Sequence, residues 1–227
     1  MKAANFDYVR VSTIKEACQA LKDGGEDARI IAGGQTLVPL MAMRLARPNL
    51  LIDINGVEEL VGISIDDGYL VIKARTRQAD TLTSDVVKKE LPLLAEALTH
   101  VGHTQTRNRG TVGGSLVNAD PSAEIPLIAQ TLEAIVIVQS SRGRRAIEAR
   151  DFFESAMATT LMPDECLIEV CFPINSIENT GFGFHEVSIR DSDYALAAAA
   201  AQTTLDRSGN CKKLDVGICG ASPAPLR

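Results

Sequence analysis

The sequence has no run of about 18 apolar residues, the length that spans a bilayer. Its start, Met1-Lys2-Ala3-Ala4-Asn5-Phe6-Asp7, has no apolar signal core. No membrane span is expected, and the chain reads as cytoplasmic. It also has no C-x-x-C: its five cysteines are Cys18, Cys166, Cys171, Cys211 and Cys219. An iron–sulfur or zinc site within the chain is therefore not expected, and an odd number of thiols fits a reducing compartment. His100 and His103 stand three apart, too few for zinc, and read as helix-end residues. Excess positive charge is missing too. Lys and Arg number 23 against 29 Asp and Glu, a net charge of −6, which argues against nucleic acid or an anionic membrane as the main partner. Neither G-x-G-x-x-G nor G-x-x-x-x-G-K-[ST] occurs, which weighs against a Rossmann or P-loop nucleotide site. There is no catalytic triad, no metal motif and no internal repeat.

What the chain does have is an ordinary globular composition, with 227 residues, 45% hydrophobic and 23% charged. It also has two glycine-rich segments set far apart. The first is Ala32-Gly33-Gly34-Gln35-Thr36. The second is Arg107-Asn108-Arg109-Gly110-Thr111-Val112-Gly113-Gly114-Ser115, running into Asn118-Ala119-Asp120-Pro121. Glycine lets backbone approach a ligand closely, and successive N–H groups form an anion-binding concavity. Thr36, Thr111 and Ser115 add hydroxyls. Two such loops suit a ligand with two phosphates, for which a dinucleotide is the natural candidate. Arg107 and Arg109 form a basic pair beside the second loop.

The rest of the chain reads as three blocks. In residues 1–56, a strand at 6–11 leads to the capping box Thr13-Ile14-Lys15-Glu16. A helix follows with Ile14, Ala17, Cys18 and Leu21 on one face. Strands at 28–32 and 50–54 flank a helix at 37–45. In residues 57–175, Asp66-Asp67-Gly68 marks a hairpin. Helices are expected at 78–89, 92–101 and 123–132, strands at 134–138, 145–149 and 165–172, and a short helix at 151–155. The composition turns to Asn, Ser, Thr and Gly near 173–181, where a domain boundary is placed. Beyond it, a strand is read at 183–189. The alanine run 195–201 favours helix by propensity. The β-branched Thr203-Thr204 and the turn cluster 206–210 before residues 214–219 make it a hairpin instead, with small side chains because a helix or partner packs closely.

Ala32-Gly33-Gly34-Gln35-Thr36-Leu37-Val38-Pro39, followed by Leu51-Ile52-Asp53-Ile54, resembles the FAD-binding (medium) subunit of the molybdenum hydroxylases. That family includes the medium subunit of aerobic carbon monoxide dehydrogenase and the flavin domain of xanthine dehydrogenase. Its second signature is resembled by Thr106-Arg107-Asn108-Arg109-Gly110-Thr111-Val112-Gly113-Gly114-Ser115-Leu116, and by Asn118-Ala119-Asp120-Pro121 with Glu124. The likeness runs from about Phe6 to the end.

The resemblance implies an α+β chain: a two-lobed FAD-binding fold of the vanillyl-alcohol-oxidase/p-cresol-methylhydroxylase type, then an incomplete C-terminal antiparallel sheet domain at 176–227. Family members continue past this point with helices, so a truncated chain, or a partner over an exposed sheet face, is expected. It implies non-covalent FAD between the lobes, with cofactor-binding residues Ala32, Gly33, Gly34, Gln35, Thr36, Leu37, Val101, Thr106, Gly110, Thr111, Gly113, Gly114, Ser115, Asp120, Glu124 and Tyr194. Glu124 stands where the family places a carboxylate near a ribose; it also reads as a first-turn helix acid. Asp120 reads better as an N-cap or turn residue than as a direct ligand. Tyr194 is the candidate to lie beside the isoalloxazine, or a plain surface or core tyrosine. Electron transfer is implied, with no catalytic residue and no metal in this chain. Molybdopterin and two 2Fe-2S clusters would sit on partner subunits, in a dimer of heterotrimers. Two other readings stay open: a stand-alone flavin oxidoreductase of the same fold, and a structural subunit without flavin.

Overall fold

Thr13 opens the first helix through its capping box. Its Oγ1 accepts from the Glu16 N–H at 3.1 Å, and the Glu16 carboxylate accepts from Ser12 N–H at 2.7 Å and Thr13 N–H at 3.3 Å. In this computed structural model, which describes residues 2–174 and 179–227, that helix is α1 (Ile14–Gly24). It buries Ile14, Ala17, Cys18 and Leu21, the stripe that its spacing predicts. It joins β1 (Asp7–Arg10) to β2 (Ala28–Ile31). With α2 (Leu37–Ala42) and β3 (Leu50–Asp53) this makes a small lobe on a parallel sheet of order β1-β3-β2. α2 ends before the expected residue 45, and Arg44 turns the chain at a left-handed φ of 60°.

The second lobe begins with β4 (Ile63–Asp66) and β5 (Tyr69–Lys73), paired across Asp67 and Gly68, whose φ values of 43° and 79° are those of a tight hairpin turn. The single helix expected over 78–89 is two, α3 (Gln78–Thr83) and α4 (Asp85–Glu90). Ser84 leaves the helical conformation at ψ 122°, and its hydroxyl caps the second helix on Val87 N–H. Serine competes with the backbone for hydrogen bonds in this way, and the apolar pattern does not register it. Then follow α5 (Pro92–His100), α6 (Thr104–Arg109), α7 (Val112–Asn118) and α8 (Glu124–Thr131). The second glycine segment is therefore not a loop but two short helices meeting at Gly110. Next come β6 (Ile135–Ser140), β7 (Gly143–Glu148), α9 (Ala149–Phe152), a small hairpin of β8 (Phe153–Ser155) and β9 (Ala158–Thr159), and β10 (Cys166–Pro173). The expected helix at 151–155 thus ends early and gives way to a strand. The main sheet of this lobe is antiparallel, in the order β4-β5-β10-β6-β7. Its core includes Leu70, Ile72, Leu94, Leu98, Leu116, Ile125 and Phe172, all fully buried. The lobes also touch through α1, where the Cys18 thiol donates to Gln139 O at 3.2 Å.

The last three strands, β11 (Thr180–Ser188), β12 (Ala195–Leu205) and β13 (Cys211–Cys219), form an antiparallel sheet in chain order. The alanine run is a strand. Its inner face, with Ala198 and Ala200 buried, lies on α8. The approach is close: a Cβ on Gly217 would lie 2.0 Å from Thr131 Oγ1. Helices α5 and α8 cover that inner face; the outer face has no such cover among the described residues. There Ala199 pairs between His185 and Ile218, and Ala201 between Gly183 and Val216. The domain boundary expected between 175 and 176 falls at residues 175–178, outside the described residues.

Candidate functional site

β2 runs straight into the first glycine segment, which turns into α2. Gly34 makes the turn at φ 71°, a left-handed conformation that favours glycine. Gly33 serves a different need. A Cβ there would lie 2.3 Å from the carbonyl oxygen of Arg109, so the two glycine segments touch directly. On the far side, residues 76–78 pair with residues 110–112. Gln78 N–H donates to Gly110 O at 3.0 Å, and Val112 N–H to Thr76 O at 3.1 Å. Thr111 caps α7, its Oγ1 accepting from Gly114 N–H at 3.0 Å.

The two segments differ in what they leave free. Gly113 N–H donates to Ala74 O at 2.9 Å and Ser115 N–H to Thr111 O at 3.1 Å. With Val112 and Gly114 already bonded, the first N–H groups of α7 are all taken. This corrects the expectation that both segments offer a run of donors. A helix start leaves N–H groups needing acceptors, and here the neighbouring chain and the Thr111 cap provide them. In the first segment, the N–H groups of residues 33–37 meet no acceptor among the described residues. Gly113 is likewise a packing glycine: a Cβ would lie 2.7 Å from both Cβ and O of Ala74.

The segments wall a cleft of about 680 Å³, inside the range of roughly 300–1,000 Å³ usual for small-molecule sites. Every residue expected at the site lines it: Ala32, Gly33, Gly34, Gln35, Thr36, Leu37, Val101, Thr106, Gly110, Thr111, Gly113, Gly114, Ser115, Asp120, Glu124 and Tyr194. So do residues that sequence reasoning did not single out, among them Ile31, Gln78, Leu161 and Leu167. These lie outside both motifs, and the fold alone brings them in. His103, read as a helix-end residue, precedes α6 and also lines the cleft. His100 instead packs on Phe184, with ring centroids 5.0 Å apart.

Asp120 is a turn residue, its Oδ1 accepting from Ser122 N–H at 2.9 Å. Glu124, in the first turn of α8, is buried. Burial pushes its carboxyl up to about 7; its own backbone N–H opposes the rise, and the charges of Glu186 and Asp120 add to it. Tyr194 stands 71% exposed on the cleft wall. Among the described residues, no group of three or more His, Cys, Asp or Glu is placed to hold a metal ion, and no helix is long and apolar enough to cross a membrane.

These features fit a bound dinucleotide. The unpaired N–H run and the Thr36 hydroxyl suit a diphosphate, and apolar walls suit ring systems. That defines the class: a nucleotide-cofactor protein whose cleft lies between two α+β lobes. The chain belongs to the family described as the FAD binding domain in molybdopterin dehydrogenase, whose model matches residues 4–175. It is 41% identical to the 6-hydroxypseudooxynicotine dehydrogenase complex subunit alpha of Paenarthrobacter nicotinovorans, over 100% of this chain and 76% of that subunit. It is 34% identical to the carbon monoxide dehydrogenase medium chain of Afipia carboxidovorans, over 100% of this chain and 78% of that one. The solved carbon monoxide dehydrogenase of Hydrogenophaga pseudoflava superposes with a TM-score of 0.96 at 33% identity, covering 100% of this chain and 78% of its counterpart.

Proposed function

We propose that this chain is the FAD-carrying electron-transfer subunit of a multi-subunit molybdenum hydroxylase, taking electrons from the iron–sulfur clusters of a partner subunit and passing them by way of FAD to an external acceptor. The observation that carries this reading is the cleft between the lobes, lined by residues 33–37, whose N–H groups meet no acceptor among the described residues. Bound FAD supplies the redox chemistry, and the protein positions it and controls access. Gly33, Gly34, Gln35, Thr36 and Leu37 would hold the pyrophosphate by backbone N–H and the Thr36 hydroxyl. Ser115, whose hydroxyl has no partner among the described residues, would add a side-chain contact from α7. Gly110, Thr111, Gly113 and Gly114 shape that wall. Glu124 would face a ribose and Tyr194 the isoalloxazine. Ala32, Val101, Thr106 and Asp120 complete the surround.

The partners on this reading are an iron–sulfur subunit and a molybdopterin subunit, in a cytoplasmic dimer of heterotrimers. The relatives' names support such assembly, since they are subunits and medium chains of dehydrogenases that act on unlike substrates. The substrate is then chosen on the molybdenum subunit. Residues 1–56 and 57–175 form the two lobes of the FAD-binding unit, and 176–227 belong to a separate sheet domain. The test is a visible spectrum of the purified chain before and after acid precipitation. Flavin bands that pass into the supernatant are expected. A chain that stays colourless after incubation with FAD would sink the proposal.

A further inference from the structure

A chain of hydrogen bonds crosses from one lobe to the other beneath the glycine segments. It starts at Tyr8 on β1, whose hydroxyl donates to Asp53 Oδ2 at 2.5 Å. Asp53 Oδ1 accepts from both the backbone N–H and the Nδ2 of Asn55, at 2.8 and 2.7 Å. Asn55 Nδ2 also donates to the carbonyl of Ala32 at 2.8 Å, the residue that opens the first segment. Asn55 Oδ1 accepts from Arg77 Nη2 at 2.8 Å. Arg77 Nη1 then donates to the carbonyl oxygen of Arg109, the same oxygen that the absent side chain of Gly33 makes room for. Arg77 is also held by its backbone, bridged to Thr111 at the start of α7.

Arg77 has no salt bridge among the described residues. Burial first, and then the neighbouring charges of Arg75 and Arg109, work against its guanidinium; Asp80 and Asp53 offset them in part. What the group gains is a pair of fixed bonds, one to the residue that grips Ala32 and one to the carbonyl that abuts Gly33. A planar fork holds two such acceptors in fixed directions, which a compact ammonium on a flexible stem does not.

We propose that Asn55 and Arg77 are positioning residues: a strut that holds the first glycine segment in register with the second and thereby sets the affinity for FAD. The proposal rests on the assignment of the cleft to FAD. Neither Asn55 nor Arg77 lines the cleft; the strut acts through the placement of the N–H groups of residues 33–37. Without it, Ala32 and the turn after it lose their side-chain tether, and the donor run no longer has one arrangement.

The experiment is FAD titration of the flavin-free chain, read by flavin fluorescence and visible circular dichroism, for the wild type, Asn55→Ala, Arg77→Met, Arg77→Lys and the double variant Asn55→Ala/Arg77→Met. Melting temperatures of the flavin-free forms are taken alongside. Loss of three side-chain hydrogen bonds in Asn55→Ala and two in Arg77→Met predicts FAD binding weaker by roughly tenfold for each. Arg77→Lys, which keeps the charge and one bond, should lie between them and the wild type. The double variant should be no weaker than the poorer single one, because the two residues act as one unit. The dichroism of bound flavin should change in each. Wild-type affinity and dichroism in Arg77→Lys and Asn55→Ala, whatever their melting temperatures, would overturn the strut alone. A wild-type chain that takes up no FAD would overturn the cleft assignment together with it.

Discussion

Gly113 and Gly114 are neighbours that would tolerate a methyl group very differently. At Gly113 a Cβ would press on the backbone and Cβ of Ala74 at 2.7–2.8 Å, where nothing can swing away. At Gly114 the nearest atom is Thr111 Oγ1 at 2.6 Å, the end of a side chain. Gly113→Ala should therefore cost about 1–3 kcal/mol of stability through overpacking. Gly114→Ala should cost less, about the worth of a disturbed N-cap, roughly 1 kcal/mol. Thermal melts of the flavin-free variants would check the order, and equal losses would refute it. A valine at Gly114 would meet the Thr111 cap in the same way. The positions of the glycines were legible in the sequence. Their separate reasons were not, since Ala74 and Arg109 meet them only in the folded chain.

The element that most departs from its sequence pattern is the pair α6 and α7. Glycine disfavours helix interiors, so Gly110, Gly113 and Gly114 read as a loop. The helix forms because Thr111 caps it and because Thr76 and Ala74 accept its first N–H groups. Replacing Thr111 with Val keeps the shape but removes the cap. About 1 kcal/mol should be lost, seen as a lower urea midpoint with an unchanged slope. A wild-type midpoint would mean that the strand-like pairing alone holds the helix start. Elsewhere local chemistry spoke clearly. The capping box at Thr13 and the turn at Asp67-Gly68 stand where the sequence places them. The alanine run is a strand, as the β-branched tail and the turn after it imply, and α8 is the helix whose close packing keeps its side chains small. The break at Ser84 left no trace in the apolar pattern, because one side-chain bond made it.

At the scale of the molecule, acidic groups gather where the C-terminal sheet meets the second lobe. Glu124 on α8 faces Glu186 on β11, with Asp120, Tyr194 and the Cys219 thiol within electrostatic reach and His100 beside Glu186. Burial raises both glutamates above the ordinary carboxylate range, Glu124 to about 7. The folded chain thus prefers the protonated Glu124. This favours the fold fully below the usual carboxylate pKa of 4.5, and the advantage fades as pH rises through about 7. The full loss is on the order of 3 kcal/mol. Glu124→Gln should accordingly raise the melting temperature of the flavin-free chain at pH 8 and leave it nearly unchanged at pH 5. An equal effect at both values would show that the carboxyl is not held neutral. The FAD-binding class and the glycine-segment walls of the cleft were legible from two motifs, while Ile31, Gln78, Leu161 and Leu167 were not. This junction was not, since no local pattern links Glu124 to a strand some sixty positions on.

The outer face of the last sheet sets how the chain behaves in a tube. Val187, Leu196, Leu214, Val216 and Ile218 all stand more than two-fifths exposed there or at its margin, beside a file of alanines that offers no bulk to keep another surface away. A smooth apolar plane of this kind is colloidally sticky. Sulfate and phosphate, which strengthen apolar contact, will bring copies together, and mild chaotropes will part them.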